Sequence, residues 1–395
     1  MPYTAPVTDG SNSTVALVLI FTVGFVASRI MLRCGIHRAL IERIAGKATT
    51  GFGFCIRLMG VTALISAVVP NVITVLAMIP VIESAARSLP ESQRNRVRTA
   101  LGLAVVYATS IGSFATVIGS PANGLLLGIL AYRDIPGHEL ITPARWSMVG
   151  VPLSFLFFGL AAAVLAIAER SALRFDPTAI VLDKPTDARD VRFGVLVIAV
   201  AVISALVISQ LPTPLWVLIA VAVGWFVATL TIPLPSGAGP VLRPRDIVSE
   251  IPWRGVVLVG AAITFGVVLD RIGAVDASVR FVASIVPDVG RVAATLSMTL
   301  ATIFLTEILS NTATALAMWQ LGEALANAGG FDALPLMVAV GIASNCAFMS
   351  PLATGATAMV FGGIKGLRFG RMLLVGAVLN ISGGLLIAGY AILVG

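Results

Sequence analysis

The recurrence of apolar runs, many of about 18 to 20 residues between short charged segments, limits this chain more than any other feature. Runs of that length cross the hydrocarbon core of a bilayer as helices, and they lack the ten-residue alternation of a membrane barrel. Charged residues are 11% of the 395 and hydrophobic ones 58%, whereas soluble domains carry about one quarter charged residues. The expected fold is an all-α polytopic membrane protein.

Clear spans are expected at 14–33, 99–132, 147–168, 193–211, 214–232, 254–270, 331–363 and 372–394. Two stretches, 50–88 and 290–328, are too long for one span and read as re-entrant helical hairpins. With that reading, segments 33–50, 87–98, 169–192, 233–254 and 364–371 hold 4, 4, 5, 3 and 3 basic residues, 19 of the 26 Lys and Arg. The opposite face holds Arg133, Arg145, Arg271, Arg280 and Arg291. Such asymmetry marks the cytoplasmic side, which predicts a multi-pass protein of the inner (plasma) membrane with both termini outside. It also accounts for the net charge of +7 without nucleic acid as a partner.

Cys34, Cys55 and Cys346 show no pair spacing, and His37 and His138 are the only histidines, so a disulfide framework, a thiolate or histidine metal centre and most acid-base catalysis are disfavoured. The reading is a non-enzyme. The N-terminal stretch MPYTAPVTDGSNST carries no basic region of a cleaved signal.

An internal echo organises the chain. At an offset of 240, Asn71, Thr74, Leu76, Ala77 and Met78 fall on Asn311, Thr314, Leu316, Ala317 and Met318; at 234, Ser110 falls on Ser344 and Gly128 on Gly362. The hairpins open to opposite sides under the charge assignment. The expected architecture is therefore an inverted-topology repeat: 14–168 with the inward-opening hairpin 50–88 and broken helix 99–132, a cytoplasmic linker at 169–192, and 193–394 with the outward-opening hairpin 290–328 and broken helix 331–363. The breaks are Gly119-Ser120-Pro121-Ala122-Asn123 and Ser350-Pro351-Leu352-Ala353-Thr354-Gly355. Secondary transporters place substrate and ion sites between such repeats, with half-helix N-termini facing an anion and freed carbonyls facing a cation. Glu307 near the outer tip reads either as a coupling carboxylate or as a hydrogen-bond partner. The stretch ESQRNRVR at 91–98 reads as a cytoplasmic anchor, with lipid headgroup binding as the alternative.

TEILSNTATALAMWQL, ASNCAFMSPLATGATAMVFGG, YATSIGSFATVIGSPANGLLLGIL and IPWRGVVLVGAAITFGVVLDRIG together give a sequence that resembles the divalent-anion:sodium symporter (DASS) family of the ion transporter superfamily. The resemblance implies secondary transport of a small anion, a di- or tricarboxylate driven by Na+, with an elevator-type transport domain moving against a dimerising scaffold. It implies substrate contacts from Asn71, Ser310, Asn311, Thr312, Ser120, Pro121, Thr354 and Gly355. It implies one or two Na+ sites drawn from Asn71, Gly119, Asn123, Ser310, Asn311, Ala353 and Thr357. The bilayer, the anionic substrate and a homodimer are the implied partners.

Three departures from the family pattern stand out. Pro70-Asn71-Val72 replaces Ser-Asn-Thr, Gly355-Ala356-Thr357 replaces Pro-Pro-Asn, and no counterpart of the family's N-terminal scaffold helices precedes residue 14. The alternatives left open are a Na+-independent anion exchanger, an inorganic oxyanion or arsenite-type permease, a cation/proton antiporter, and a non-transporting truncated homologue with a structural role.

Overall fold

The computed structural model describes residues 26–394 except 28, 46, 133–134, 181–186, 210–214, 245–289 and 352. The expected span at 254–270 and the start of the one at 14–33 lie outside the described residues. All regular structure among those described is helical, apart from an isolated bridge between Pro233 and Pro240.

Helix α1 (Ile36–Ala45) leads into α2 (Gly51–Ser66) and α3 (Asn71–Arg87), the two arms of the first long stretch. Then come α4 (Glu91–Ser113), a 3-10 turn at Val117–Gly119, α5 (Pro121–Tyr132) and α6 (Pro143–Ala168). The second half runs through α7 (Ala188–Ser209), α8 (Leu215–Thr231), α9 (Arg291–Leu305), α10 (Asn311–Gly329), α11 (Ala333–Ala343), α12 (Gly355–Gly363) and α13 (Phe369–Val394). Both stretches expected to be broken are broken: α4 stops at Ser113 before α5, and α11 stops at Ala343 before α12. Helices α6 and α13, 26 residues each, are long and apolar enough to cross a membrane, about 39 Å apiece at 1.5 Å per residue.

One boundary differs from expectation. The helix expected from residue 99 begins at Glu91, so the basic stretch 91–98 is its opening. Pro90 occupies the N-cap with extended backbone and Glu91 lies in the first turn, where the helix dipole favours a carboxylate. Arg98 then pairs with Glu83 of α3 at 2.8 Å, and Arg94 Nε donates to the Leu89 carbonyl.

Packing links the halves crosswise. Helices α2 and α3 both lie on α4, as α9 and α10 lie on α11; yet α12 packs along α3, and α5 packs against α10 and α11. At the centre, Phe114 and Phe348, which occupy matching places ahead of the two breaks, both meet Phe157 of α6, with ring centroids 6.0 and 5.5 Å away. Tyr107 stands edge-on to Phe348 at 5.3 Å. Cys34, Cys55 and Cys346 are buried free thiols.

Two glycines permit the closest approaches to the breaks. A Cβ at Gly150 of α6 would stand 2.6 Å from the Phe114 carbonyl, and one at Gly376 of α13 would collide with the Phe348 carbonyl. The obstacle is backbone in each case, so it cannot swing aside. Gly376→Ala should therefore lower stability by about 1–3 kcal/mol, the range for overpacking a tight site. Gly389→Ala, which meets nothing within 4 Å on the same helix, should stay within about 0.5 kcal/mol. Thermal denaturation of the two variants in detergent, side by side, checks this contrast.

Candidate functional site

The turns between α2 and α3 and between α9 and α10, the two expected tips, are built the same way. Helix α2 ends at Ser66 and α3 starts five residues later at Asn71; Ser66 Oγ lies 2.8 Å from Asn71 Oδ1 and 2.8 Å from the Thr109 carbonyl of α4. Thr306, at the C-cap of α9, repeats this: its hydroxyl lies 3.1 Å from Asn311 Oδ1 and 2.9 Å from the Ser344 carbonyl. A hydroxyl has one proton, so it can donate to only one of these two oxygens at a time. In the other pairing, three oxygens converge without a proton between two of them. That is a donor set for a hard monovalent cation. A rotated asparagine amide would instead donate Nδ2 to the hydroxyl, so the tip has one setting that suits a cation and one that satisfies itself. The chemistry of the residues present thus fits Na+ at both tips.

Beyond this shared core the tips differ. At the second tip Ser310 caps α10, its Oγ accepting from Ala313 N–H at 3.3 Å. At the first tip the cap is Pro70, with no side-chain cap bond. The backbone is nearly the same, φ −51° and ψ 137° at Pro70 against φ −65° and ψ 149° at Ser310.

Glu307 holds the second break. Its Oε1 accepts from Phe348 N–H at 2.6 Å and Met349 N–H at 2.8 Å, its Oε2 from Ser350 N–H at 2.7 Å, and Asn380 Nδ2 adds a fourth bond at 2.8 Å. Successive backbone N–H groups converging on one carboxylate form an anion nest. The hydrogen-bond role of Glu307 is therefore the one the geometry displays. In the first half the position is Ala67, whose carbonyl accepts from the Thr116 hydroxyl.

The remaining candidates fall around the breaks. Asn123 is fully buried: its Nδ2 donates to the Ser113 and Thr116 carbonyls at 2.8 Å each, and its Oδ1 accepts from Asn345 Nδ2 at 2.9 Å. This bond ties the two breaks together and occupies both ends of the Asn123 amide. Thr354 and Thr357 form a reciprocal capping box at the start of α12. Gly119, Ser120, Ala353 and Thr357 are buried, Asn71, Asn311, Thr312 and Thr354 are half-buried, and Ser310, Pro121 and Gly355 are exposed.

The lip of each break that precedes it in sequence meets the tip of its own half, whereas the helix restarting after it packs on the hairpin of the other half. Gly355 illustrates this. A Cβ there would stand 3.0 Å from Val72 Cγ2 at the first tip. Two of the departures from the family pattern, at 72 and 355, are thus spatial neighbours.

Sequence reasoning missed Ser66, Thr306, Thr116, Asn345 and Asn380. The first two had a signal: a hydroxyl five residues ahead of each tip asparagine, at the same offset of 240. Thr116 caps the 3-10 turn at Val117–Gly119, a local signal, whereas Asn345 and Asn380 meet Asn123 and Glu307 far along the chain.

The sequence pattern of the citrate transporter family matches residues 7–330 and 220–395, which together cover nearly the whole chain. The chain belongs to the citrate transporter family. That places it in the DASS group of the ion transporter superfamily. Among its relatives, a sodium-dependent dicarboxylate transporter, SdcS, of Staphylococcus saprophyticus is 26% identical over 398 residues, spanning 92% of this chain and 74% of the relative. The protein of the same name from Staphylococcus aureus (strain bovine RF122) is 27% identical over 397 residues, 94% of this chain and 75% of its own. As a member of this family the chain is a membrane-embedded transporter, a non-enzyme class.

Proposed function

We propose that this citrate transporter family member is a Na+-coupled symporter of small di- or tricarboxylates, with an elevator-type movement of the interlocked centre. The observation that carries the reading is the hydroxyl, asparagine and carbonyl cluster at each tip, Ser66–Asn71–Thr109 and Thr306–Asn311–Ser344. The sodium dependence and dicarboxylate substrates in the names of the SdcS relatives support it. In this reading the oxygens of each tip hold Na+, with Gly119, Asn123, Ala353 and Thr357 shaping the backbone around it. The substrate carboxylates meet the N-terminal N–H groups of α3, α5, α10 and α12, flanked by Asn71, Ser120, Pro121, Ser310, Asn311, Thr312, Thr354 and Gly355.

The recurrence of the same bonds at 240 residues' separation supports the inverted repeat, with re-entrant hairpins at 50–88 and 290–328 and halves at 14–168 and 193–394 joined by a cytoplasmic linker. A homodimer in the plasma membrane with both termini outside completes the proposal. Uptake of labelled succinate, citrate and sulfate into proteoliposomes, with and without an inward Na+ gradient, tests it. Accumulation of succinate or citrate only with the gradient is the expected outcome; accumulation of none of the three would sink the symporter reading.

The uncapped Pro70 favours a second reading, Na+-independent exchange, because the inner tip lacks the hydroxyls at 70 and 72 that the outer tip has. The double variant Pro70→Ser, Val72→Thr supplies them on a backbone already shaped like that of Ser310. Under symport it should lower the Na+ concentration needed for half-maximal uptake and add about 1 kcal/mol from the new cap. Uptake indifferent to Na+ in both parent and variant would favour the exchanger.

A further inference from the structure

The basic opening of α4 is not used by the transport centre. Where α4 begins, α6 ends and α13 begins, their ends enclose a cavity of about 190 Å³ lined by Arg96, Thr99, Glu169, Ser171, Arg368 and Arg371 beside Ala172. Its walls are tied together. Thr99 Oγ1 accepts the Arg368 N–H at 3.2 Å and donates to the Asn95 carbonyl at 2.7 Å, fastening the lead-in of α13 to α4. Gly366 turns that lead-in with φ +82°, and a side chain there would strike Asn95. Glu169, 5% exposed at the end of α6, lies 3.4 Å from Arg371 Nε.

The charges do not balance. Glu169, the one carboxylate on the wall, stands 3.4 Å from Arg371 and within Coulombic reach of Arg368, so three guanidinium groups face a single carboxylate. Every other polar group on the wall is a hydroxyl, from Thr99 and Ser171. This excess of guanidinium forks over carboxylate, with the hydroxyl donors beside it, suits a phosphate, whose oxygens accept paired N–H bonds. The volume is below the range of pockets that take drug-sized ligands, which excludes a nucleotide and admits a single phosphate group. The cavity also sits at the ends of α6 and α13, the two long apolar helices, hence at headgroup depth on the face that carries most of the basic residues.

We propose that this cavity binds a phosphate group, from a lipid headgroup or from free inorganic phosphate, and braces the ends of α4, α6 and α13. The test is the melting temperature of the purified protein in detergent. One arm compares sodium phosphate with sodium chloride at equal Na+ and ionic strength; the other compares dioleoyl phosphatidylglycerol with dioleoylglycerol, which has the same chains and no phosphate. Expected is a rise of a few degrees in at least one arm, lost in R96Q/R368Q and kept in R145Q, a change on the opposite face. A rise only with phosphate identifies the free ion, and a rise only with phosphatidylglycerol identifies the lipid. Phosphate acting at the transport centre would raise the double variant as much as the parent. Should that variant not fold, Arg368→Gln alone, which keeps its backbone bond to Thr99, should still lose about half of the rise. No rise in either arm, or a rise undiminished in the Arg96 and Arg368 variants, overturns the proposal.

Discussion

Asn311→Ala should abolish Na+-driven uptake in proteoliposomes while the protein still expresses, inserts and melts near the parent temperature. The side chain is half-buried at the N-terminus of α10, and its one observed bond is to Thr306, which keeps the Ser344 carbonyl as an alternative acceptor. The structural cost is accordingly small, about 1 kcal/mol for a lost hydrogen bond. The functional cost is larger. Removing the amide takes an oxygen from the cation cluster and an N–H donor from the substrate side together. Losing about 3 kcal/mol of binding would reduce uptake at fixed substrate and Na+ by about a hundredfold. Full activity in the variant would refute the assignment of the outer tip, and a collapse in melting temperature would recast Asn311 as a structural residue.

Glu307→Ala produces the opposite pattern, a protein that loses stability before it loses anything else. The carboxylate satisfies three consecutive backbone N–H groups and the Asn380 amide. Stranding several donors costs about 1–3 kcal/mol each, which for three or four of them is comparable with the whole margin of about 5–15 kcal/mol of most domains. Glu307→Gln should fall between: one carbonyl oxygen can still accept, but the new NH2 group faces N–H donors. A proton-handling role makes a different forecast, with Gln keeping parental stability and losing only the pH dependence of transport. Melting temperature and uptake measured on the same preparations of both variants separate the two roles.

Much of this was legible in the sequence, for identifiable reasons. Asn71 and Asn311 stood out because they interrupt apolar stretches, 50–88 and 290–328, that are too long for one span. The breaks were legible because Gly119-Ser120-Pro121 and Thr354-Gly355 disfavour continuous helix. The start of α4 was set at residue 99 because the apolar run begins there, whereas Glu91 and the pairing of Arg98 with Glu83 carry the helix back through the basic stretch. The nest around Glu307 was not legible, since it depends on where the backbone at Phe348, Met349 and Ser350 falls. Likewise no local residue type records that Asn123 meets Asn345, 222 positions away.

A polypeptide ending near residue 168 would leave bare the side of α3 that α12 now covers, and one starting near residue 188 would leave α10 without α5. Either fragment repacks that surface as the whole chain does only by pairing with its complement, since lipid would otherwise cover it. The two pieces are therefore obligate complements: made separately they should be cleared by quality-control proteases, and made together from two genes they should reassemble. For an engineer, the loop between α6 and α7 is thus a place where the chain can be cut without separating what the cut divides.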